Sequence, residues 1–358
     1  MHMADKANGS KPDSSEQIAT KVLTPTYVTS VFTGIRPSGD LTVANYVGAV
    51  KPTTDLLERG FRPLVFVADL HLLTTHETRE AKIFNEAVIA DYIALGLDPK
   101  KTDIFIQSEL RNEVFELTMY LMRHISISEL MRVPTLKDKL RSGEREETAS
   151  AFLANYPIMM AADILLQRAR FVPVGPDQVP HIELTRKIAE RFNARYGPIF
   201  PLPSAQEVDP IKILGLKGTG KMGKSIPHEA IFLTDSAQDV AKKIKTAQTA
   251  FAGEMPEVLK SHIAMAKAVA KTSSEQDEID HIVSFHLEGK QVMGAFKSLL
   301  TRLLQTFVTE FQQRRSAVLA DPKMVAEVLG RGKELATKNA VETLNLVRSA
   351  LDNPIKEE

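Results

Sequence analysis

The sequence predicts a parallel α/β fold followed by an all-helical region, and two observations carry this prediction. Short β-rich runs alternate with helical stretches from Tyr27 to about Leu214, and such alternation is typical of a parallel sheet. After Ser225 the strand signals fade, and helical patterns such as Met293 to Phe311 follow. At 358 residues the chain exceeds the size of most single hydrophobic cores, so we expect two domains.

The expected elements follow from local patterns. An amphipathic helix is predicted over Gln178 to Phe192, which has apolar residues at helical spacing and charges on its other faces. A disordered tail is predicted over residues 1–26, because Met1 to Thr20 is rich in Ser, Lys and Asp. The α/β domain then covers 27–225 and the helical domain 226–358. The expected strands are the apolar runs Val31-Phe32, Leu64 to Ala68, Ile104 to Ile106, Phe171 to Val174 and Ile211 to Leu214.

Composition excludes several classes of protein. Lys plus Arg and Asp plus Glu both number 45, so any RNA contact has to come from local basic patches rather than a global field. The chain has no cysteine, which removes disulfides, thiolate zinc sites and cysteine nucleophiles, and we expect no protein-held metal. No apolar run approaches the roughly 18 residues that span a bilayer, and no signal-peptide pattern is present. These features predict a soluble cytoplasmic protein.

The first segment with chemical potential runs from Val31 to Val50. It reads as a strand, a loop containing Pro37 and Gly39, and a helix from about Thr42. Such a loop brings backbone N–H groups and a helix N-terminus together, where phosphates bind well. An ordinary strand-to-helix turn accounts for the same residues, so this segment alone decides nothing.

The second segment is centred on Asp163, which stands alone in the apolar run Met159 to Leu166. A carboxylate in that setting has to find a donor or stay at the surface, and a salt-bridged position at a helix edge is the alternative. Downstream, a strand ending at Val174 precedes Asp177 and Gln178, at the carboxyl edge where α/β sheets bind ligands. A polar loop with a helix N-cap at Asp177 would fit as well.

The third segment, Gly218 to Ser225, matches the phosphate-loop pattern G-x-x-x-x-G-K-[ST] letter for letter. However, Pro227 falls two residues after Ser225, and no later strand ends in a metal-binding Asp at a suitable distance. A phosphate-loop NTPase is therefore disfavoured, and it remains the alternative from a different class of protein.

Taken together and in this order, the three segments resemble the class I aminoacyl-tRNA synthetases, specifically the bacterial tryptophan branch. Thr42 to Asn45 falls on the family's HIGH-type motif in its T-x-G-N form, and Lys221 to Ser225 falls on the KMSKS loop. The runs MAADILL, VPVG-x-DQ and HIELTR, which lie within Met160 to Arg186, are highly specific to this branch. The resemblance implies a Rossmann-like catalytic domain, a helical anticodon-binding domain and the ATP-dependent ligation of tryptophan to tRNA.

The resemblance also implies roles for individual residues. The tryptophan site would contain Asp163 as the acceptor of the indole N–H, with Phe32, Tyr156, Met160, Val172, Val174 and Gln178 around the substrate. Lys221, Lys224 and Lys139, or Lys137 in place of Lys139, would meet the charge on the pyrophosphate together with Mg²⁺. A homodimer bridged by tRNA(Trp) is implied as well. The ATP site would contain Arg36, Pro37, Ser38, Ala44, Asn45, Gly175, Pro176, Asp177, Ile213, Lys221, Met222, Gly223, Lys224 and Ser225.

Three positions depart from the family pattern. Ala44 stands where relatives have Gly near the adenine, which puts ATP affinity in doubt. Gly223 replaces the middle Ser of KMSKS, so loop closure costs more backbone entropy. Arg36 replaces a common Gln and adds a charge near phosphate or the substrate carboxylate.

A tyrosyl-tRNA synthetase shares the fold and the chemistry, and it is the nearest alternative. The cluster Lys242, Lys243 and Lys245 is a candidate for RNA contact, with a solvated helix face as the alternative.

Overall fold

The computed structural model describes residues 25–37, 39–73, 87–137, 150–175, 178–207, 213–249, 251 and 253–355. Most of the predicted tail lies outside the described residues. Four predicted ATP-site or catalytic residues also lie outside them, namely Ser38, Lys139, Pro176 and Asp177.

The core of the molecule is a five-stranded, entirely parallel sheet, which confirms the predicted fold class. The strand order is β3-β2-β1-β4-β5, so the direction of chain progression reverses between β1 and β4. In open α/β sheets such a reversal leaves a crevice at the carboxyl ends of the two strands. The strands are β1 (Thr29–Ile35), β2 (Pro63–Val67), β3 (Asp103–Ile106), β4 (Ala169–Val174) and β5 (Ser204–Glu207).

Helices surround the sheet and then form the C-terminal region, as the sequence predicts. Within the first part, α1 (Val43–Asn45) continues through a π-helical turn (Tyr46–Val50) into α2 (Lys51–Glu58), followed by α3 (Asp69–Leu72), α4 (Arg111–Met122), α5 (Ile127–Leu130), α6 (Ala151–Leu166) and α7 (Val179–Tyr196). Residues 87–94 are also helical. The later helices are α8 (Ala237–Lys245), α9 (Glu257–Val269), α10 (Ser273–Leu287), α11 (Met293–Leu319) and α12 (Pro322–Asp352).

The fifth strand differs from the predicted one. It is formed by the mostly polar segment Ser204–Glu207, which pairs on one side only, with β4. An edge strand of this kind does not need the continuous apolar run that marks central parallel strands. In the predicted run, residues 211 and 212 lie outside the described part, and Leu214 forms an isolated antiparallel bridge with Lys221.

The long C-terminal helix α12 packs on the sheet itself. Ala336, Ala340 and Leu344 are fully buried in the same apolar core as β1 and α6. Gly332 lies so close to β3 that a Cβ there would come within 2.0 Å of the Ile104 carbonyl oxygen. The side chain of Asn339 donates to Gln167 Oε1 at 3.0 Å. Part of the predicted helical domain therefore buttresses the α/β domain.

Candidate active site

A cavity of about 430 Å³ opens at the carboxyl ends of β1 and β4, at the reversal of the sheet. Its walls are mostly apolar with a few polar groups, which suits a small aromatic ligand. Sequence reasoning missed His71, Thr135, Ile164 and Phe66, which also line it. The cavity brings together eight of the residues predicted from the sequence: Phe32, Arg36, Tyr156, Met160, Val172, Val174, Gly175 and Gln178.

Stacked aromatic rings form the wall on the side of β1 and β2. The rings of Phe32 and Phe66 stack with centroids 4.8 Å apart and an interplanar angle of 8°. This stacking requires Gly34, because a Cβ at that position would lie 2.6 Å from the Phe66 ring. The flat wall is therefore set by a glycine on the neighbouring strand.

Asp163 is buried beside this cavity and already has hydrogen-bond donors. The Gln107 amide donates to both of its carboxylate oxygens, at 2.9 and 2.8 Å, and His71 Nε2 lies 3.0 Å from Oδ2. Gln107 is oriented in turn by the Leu70 N–H, which donates to its side-chain oxygen at 3.2 Å. Burial raises the pKa of the Asp163 carboxyl, and the hydrogen bonds from His71 and Gln107 oppose that rise. Asp163 therefore lies in the interior, paired with His71, and not at the protein surface.

His71 links the buried Asp163 carboxylate to the cavity. It lines the cavity, whereas its partner Asp163 is 4% exposed. A signal for His71 was present in the sequence, since it follows the buried strand β2 at the carboxyl edge where ligands bind. The indole N–H would therefore meet a linked pair of side chains rather than a lone carboxylate.

A second polar cluster lies at the cavity end formed by α6 and α7. Thr135 Oγ1 lies 2.9 Å from the Tyr156 hydroxyl and 2.6 Å from His181 Nε2. Burial raises the pKa of the Tyr156 phenol, while the hydrogen bond with Thr135 and the charge of Arg36 oppose the rise. Tyr156 therefore presents a neutral hydroxyl at the cavity.

The first helix begins where the sequence predicts, at Thr42. The Thr42 backbone N–H donates to Asn45 Oδ1 at 2.8 Å, and the Thr42 hydroxyl accepts from the Asn45 N–H. This capping box fixes the start of the helix. It also orients the Asn45 side chain, because the Asn45 Oδ1 atom accepts the hydrogen bond from the Thr42 N–H. Ala44 and Asn45 do not line the cavity, whereas Gly48, Ala49 and Pro52 from the following turns do.

The predicted KMSKS-like loop continues from a tight hairpin and is tied to that first helix. The Met222 N–H donates to the Ile213 carbonyl at 2.9 Å, and the Gly215 N–H donates to the Gly220 carbonyl at 2.8 Å. Downstream of the loop, the carbonyl of Ile231 accepts from the N–H of Val43 in the first helix at 2.9 Å. The sheet-like pairing of 41–43 with 231–233 therefore brings the two predicted nucleotide motifs together.

The loop carries its lysines at the surface. Lys221 and Lys224 are exposed. Partial desolvation lowers the pKa of the Lys224 ammonium, and the charge of Asp40 on the first loop opposes this effect. A phosphate loop would instead lead from a strand into a helix, but Ser225 is followed by the 3₁₀ turn Pro227–Glu229. The local geometry disfavours the phosphate-loop alternative.

The lysines of α8 are partly committed to structural contacts. Lys243 bonds Asp235 at 2.7 Å and lies 4.9 Å from the centroid of the Phe232 ring. Lys242 pairs with Asp239 at 3.6 Å. An RNA contact by this cluster stays a prediction.

The described residues lack two kinds of feature. They contain no group of three or more His, Cys, Asp or Glu side chains arranged to hold a metal ion. In the same part of the chain, no helix combines the length and apolar character needed to cross a membrane.

Comparisons with known proteins identify the family of the chain. Residues 25–309 match the family model "tRNA synthetases class I (W and Y)". The tryptophan–tRNA ligase of Porphyromonas gingivalis is 35% identical over 325 residues, which cover 89% of this chain and 98% of that protein. The ligase of Chlamydia caviae is 33% identical over 332 residues, or 90% of this chain and 95% of that protein.

Solved structures show the same relationship. The tryptophanyl-tRNA synthetase of Campylobacter jejuni in complex with ADP and tryptophan is 31% identical, with a TM-score of 0.74, over 90% of this chain and 100% of that one. The enzyme of Mycoplasma pneumoniae is 28% identical with a TM-score of 0.79, over 91% and 98% of the two chains. The match extends through the sheet, the cavity and most of the helical region, and the chain belongs to the class I tRNA synthetases of the tryptophan and tyrosine type.

Proposed function

We propose that this synthetase is a tryptophan–tRNA ligase, which activates tryptophan with ATP and transfers it to tRNA. The observation that carries the proposal is the apolar cavity at the reversal of the sheet, whose polar end is the His71–Asp163 pair. An aromatic amino acid with a ring N–H fits this combination of flat walls and one buried acceptor. The full-length tryptophan–tRNA ligases that resemble the chain support this choice of amino acid.

Asp163 accepts the indole N–H in this proposal. An ionised carboxylate offers about four lone-pair sites, and Gln107 and His71 use only part of that capacity. The indole ring would lie between Phe32, Met160 and the strand β4 residues Val172 and Val174. Tyrosine would leave the buried acceptor without the N–H, a loss of roughly 1 to 3 kcal/mol.

The first chemical step is an in-line attack of the tryptophan carboxylate on the α-phosphorus of ATP. A new P–O bond forms the adenylate, the bond to the β-phosphate oxygen breaks, and pyrophosphate leaves. Lys221 and Lys224 of the loop would stabilise the charge that grows on the pyrophosphate oxygens. Lys139 is proposed for the same role but lies outside the described residues, and Lys137 is its alternative. In the second step a ribose hydroxyl at the 3′ end of tRNA attacks the adenylate carbonyl and releases AMP.

ATP would sit between the loop hairpin and the first loop, with the Ile213 backbone near the adenine and Gly175 near the ribose. The bound ADP of the Campylobacter jejuni structure supports a nucleotide site in this fold. Mg²⁺ would arrive with the phosphates, since the described residues hold no cluster of metal ligands of their own. It would supply positive charge at the phosphates.

The proposed assembly is a homodimer that binds tRNA(Trp), acting in the cytoplasm. An apolar groove of about 300 Å³ between α4 and α6 supports self-association. The side chains of Phe115 and Met119 in this groove are 42% and 64% exposed. Clusters of exposed apolar side chains are typical of surfaces that associate with another protein. Tyr156 lines both this groove and the central cavity. Sedimentation of the purified protein measures the assembly directly.

Pyrophosphate exchange with each of the twenty amino acids tests the function. Tryptophan alone should support rapid exchange of labelled pyrophosphate into ATP. Exchange that depends on tyrosine would instead identify the tyrosine enzyme of the same family. Release of inorganic phosphate from ATP without any amino acid would support the phosphate-loop NTPase.

A further inference from the structure

One buried carboxylate near the proposed ATP site has no role in the chemistry above. Glu229 is 4% exposed and lies beneath the hairpin that precedes Lys221. Its Oε2 accepts from the Thr219 hydroxyl at 2.8 Å and from the Lys217 N–H at 3.3 Å. Its carbonyl accepts from the Leu216 N–H at 2.9 Å. Glu229 therefore binds three residues around the hairpin tip, two through its side chain and one through its backbone carbonyl.

The hairpin is built to admit this carboxylate. A Cβ at Gly215 would lie 2.7 Å from Glu229 Oε2, so the glycine leaves the space that the carboxylate fills. The backbone of Gly215 is not in the left-handed region, whereas Gly218 is, with φ +79°. Gly215 is thus needed for space rather than for its backbone conformation.

The hairpin also needs a clamp. The segment 215–223 contains Gly215, Gly218, Gly220 and Gly223, and glycine loses more backbone entropy on ordering than any other residue. A Cβ at Gly220 would meet nothing within 4 Å, so packing does not restrain Gly220 itself. The two ends of the hairpin are joined by the bridge between Leu214 and Lys221 and by the Met222–Ile213 hydrogen bond. Fixing the tip therefore fixes where Lys221 and Ile213 lie.

We propose that Glu229 is a positioning residue for adenylate formation, which holds the 215–220 hairpin so that the two loop lysines reach the ATP phosphates. This inference rests on the proposed function. Glu229 itself touches neither substrate. Its effect is to reduce the entropy lost when the loop orders over ATP, so it acts mainly on the transition state.

The kinetic test compares a small set of variants by tryptophan-dependent pyrophosphate exchange. Glu229→Ala should lower kcat roughly 10- to 100-fold, the factor expected for losing hydrogen bonds to a charged acceptor, while KM for tryptophan stays unchanged. Glu229→Gln keeps an oxygen acceptor of the same shape and should restore kcat to within about fivefold of the parent. Thr219→Val should reproduce part of the loss. Thr343→Val is the matched control, because it removes a buried hydroxyl that bonds the Leu166 carbonyl far from the loop.

A second measurement does not depend on catalysis. Trypsin can cleave after Lys217, Lys221 and Lys224, and cleavage requires local opening of the hairpin. Without ligands, Glu229→Ala should raise the cleavage rate in this segment by about tenfold, since the clamp limits opening. Gly215→Ala should do the same by displacing the carboxylate, and adding it to Glu229→Ala should change little further. Thr343→Val should leave cleavage here at the parental rate.

The outcomes separate the two proposals. If the parent protein shows no tryptophan-dependent exchange, the proposed function fails, and digestion still tests the clamp. If the parent exchanges and Glu229→Ala matches it in both kcat and digestion, the positioning role is wrong. A loss in Glu229→Ala that Glu229→Gln does not restore, or that Thr343→Val shares, reduces Glu229 to a general contributor to stability. Should Glu229→Ala fail to fold, Thr219→Val and Gly215→Ala give the same comparison.

Discussion

Replacing Asp163 by Asn tests the basis of amino-acid selection most directly. The carboxylate accepts from Gln107 on one side and contacts His71 Nε2 on the other. An amide at this position has one oxygen and one NH₂ group. Its oxygen would accept from Gln107, and its NH₂ group would donate to His71 in the tautomer that accepts at Nε2. The asparagine side chain would therefore fit the site, and the indole N–H would meet a neutral amide oxygen in place of a charged carboxylate.

The magnitude follows from the difference between charge-assisted and neutral hydrogen bonds. Losing a bond to a charged acceptor costs about 1 to 2 kcal/mol more than losing a neutral one, which corresponds to roughly 5- to 30-fold in kcat/KM. Asp163→Asn should reduce the ratio of kcat/KM for tryptophan over tyrosine by this factor in pyrophosphate exchange. KM for ATP should stay close to that of the parent, because Asp163 is proposed to contact the amino acid and not the nucleotide.

Asp103→Asn is the matched control for this experiment. Asp103 is also buried and pairs with Arg62 at 3.2 Å, but it lies at the amino end of β3, whereas the cavity opens at the carboxyl ends of the strands. It should keep the selectivity of the parent. An Asp163→Asn protein that is folded and discriminates tryptophan from tyrosine as well as the parent would refute the assignment of Asp163.

Three further predictions concern the lysine, the ligand and pH. Lys224→Ala should lower kcat for pyrophosphate exchange by about 10²- to 10³-fold with little change in tryptophan affinity. The control Lys260→Ala removes an exposed lysine on α9 and should leave kcat unchanged. Equal rates for both variants would exclude a catalytic role for Lys224. The chain has no tryptophan, so the fluorescence emission of added tryptophan should shift saturably to the blue as the ligand enters the apolar cavity. Asp163→Ala should abolish or weaken this shift. An unchanged emission spectrum would argue for a hydrated surface site. His262 is fully buried, and neither of its ring nitrogens has a partner among the described residues. Burial lowers its pKa to about 4, so between about pH 6.5 and 4 the unfolded chain binds more protons than the folded one. The free energy of unfolding should therefore fall by up to roughly 3 kcal/mol as the pH drops through this range. Denaturant titrations should show a smaller loss in His262→Leu and the full loss in the exposed control His281→Leu.

The sequence by itself determined the fold class and the four apolar strands, because β1, β2 and β4 are central parallel strands and the edge strand β3 is covered by α12, so that all four are buried and their composition shows it. It also determined where the first helix begins, since the cap at Thr42 is a local hydrogen-bonding pattern. The resemblance of three short motifs identified the family.

Only the tertiary structure decided how distant segments combine. It placed His71 and Gln107 on Asp163, which no local pattern could predict because the three residues lie on separate elements joined by the sheet. It placed the fifth strand of the sheet at the mostly polar segment Ser204–Glu207, since a strand at the edge of a sheet needs no continuous apolar run. It also set α12 against the sheet and Glu229 beneath the loop hairpin. Those contacts depend on packing between segments far apart in the chain, where spacing in the sequence carries no information about distance.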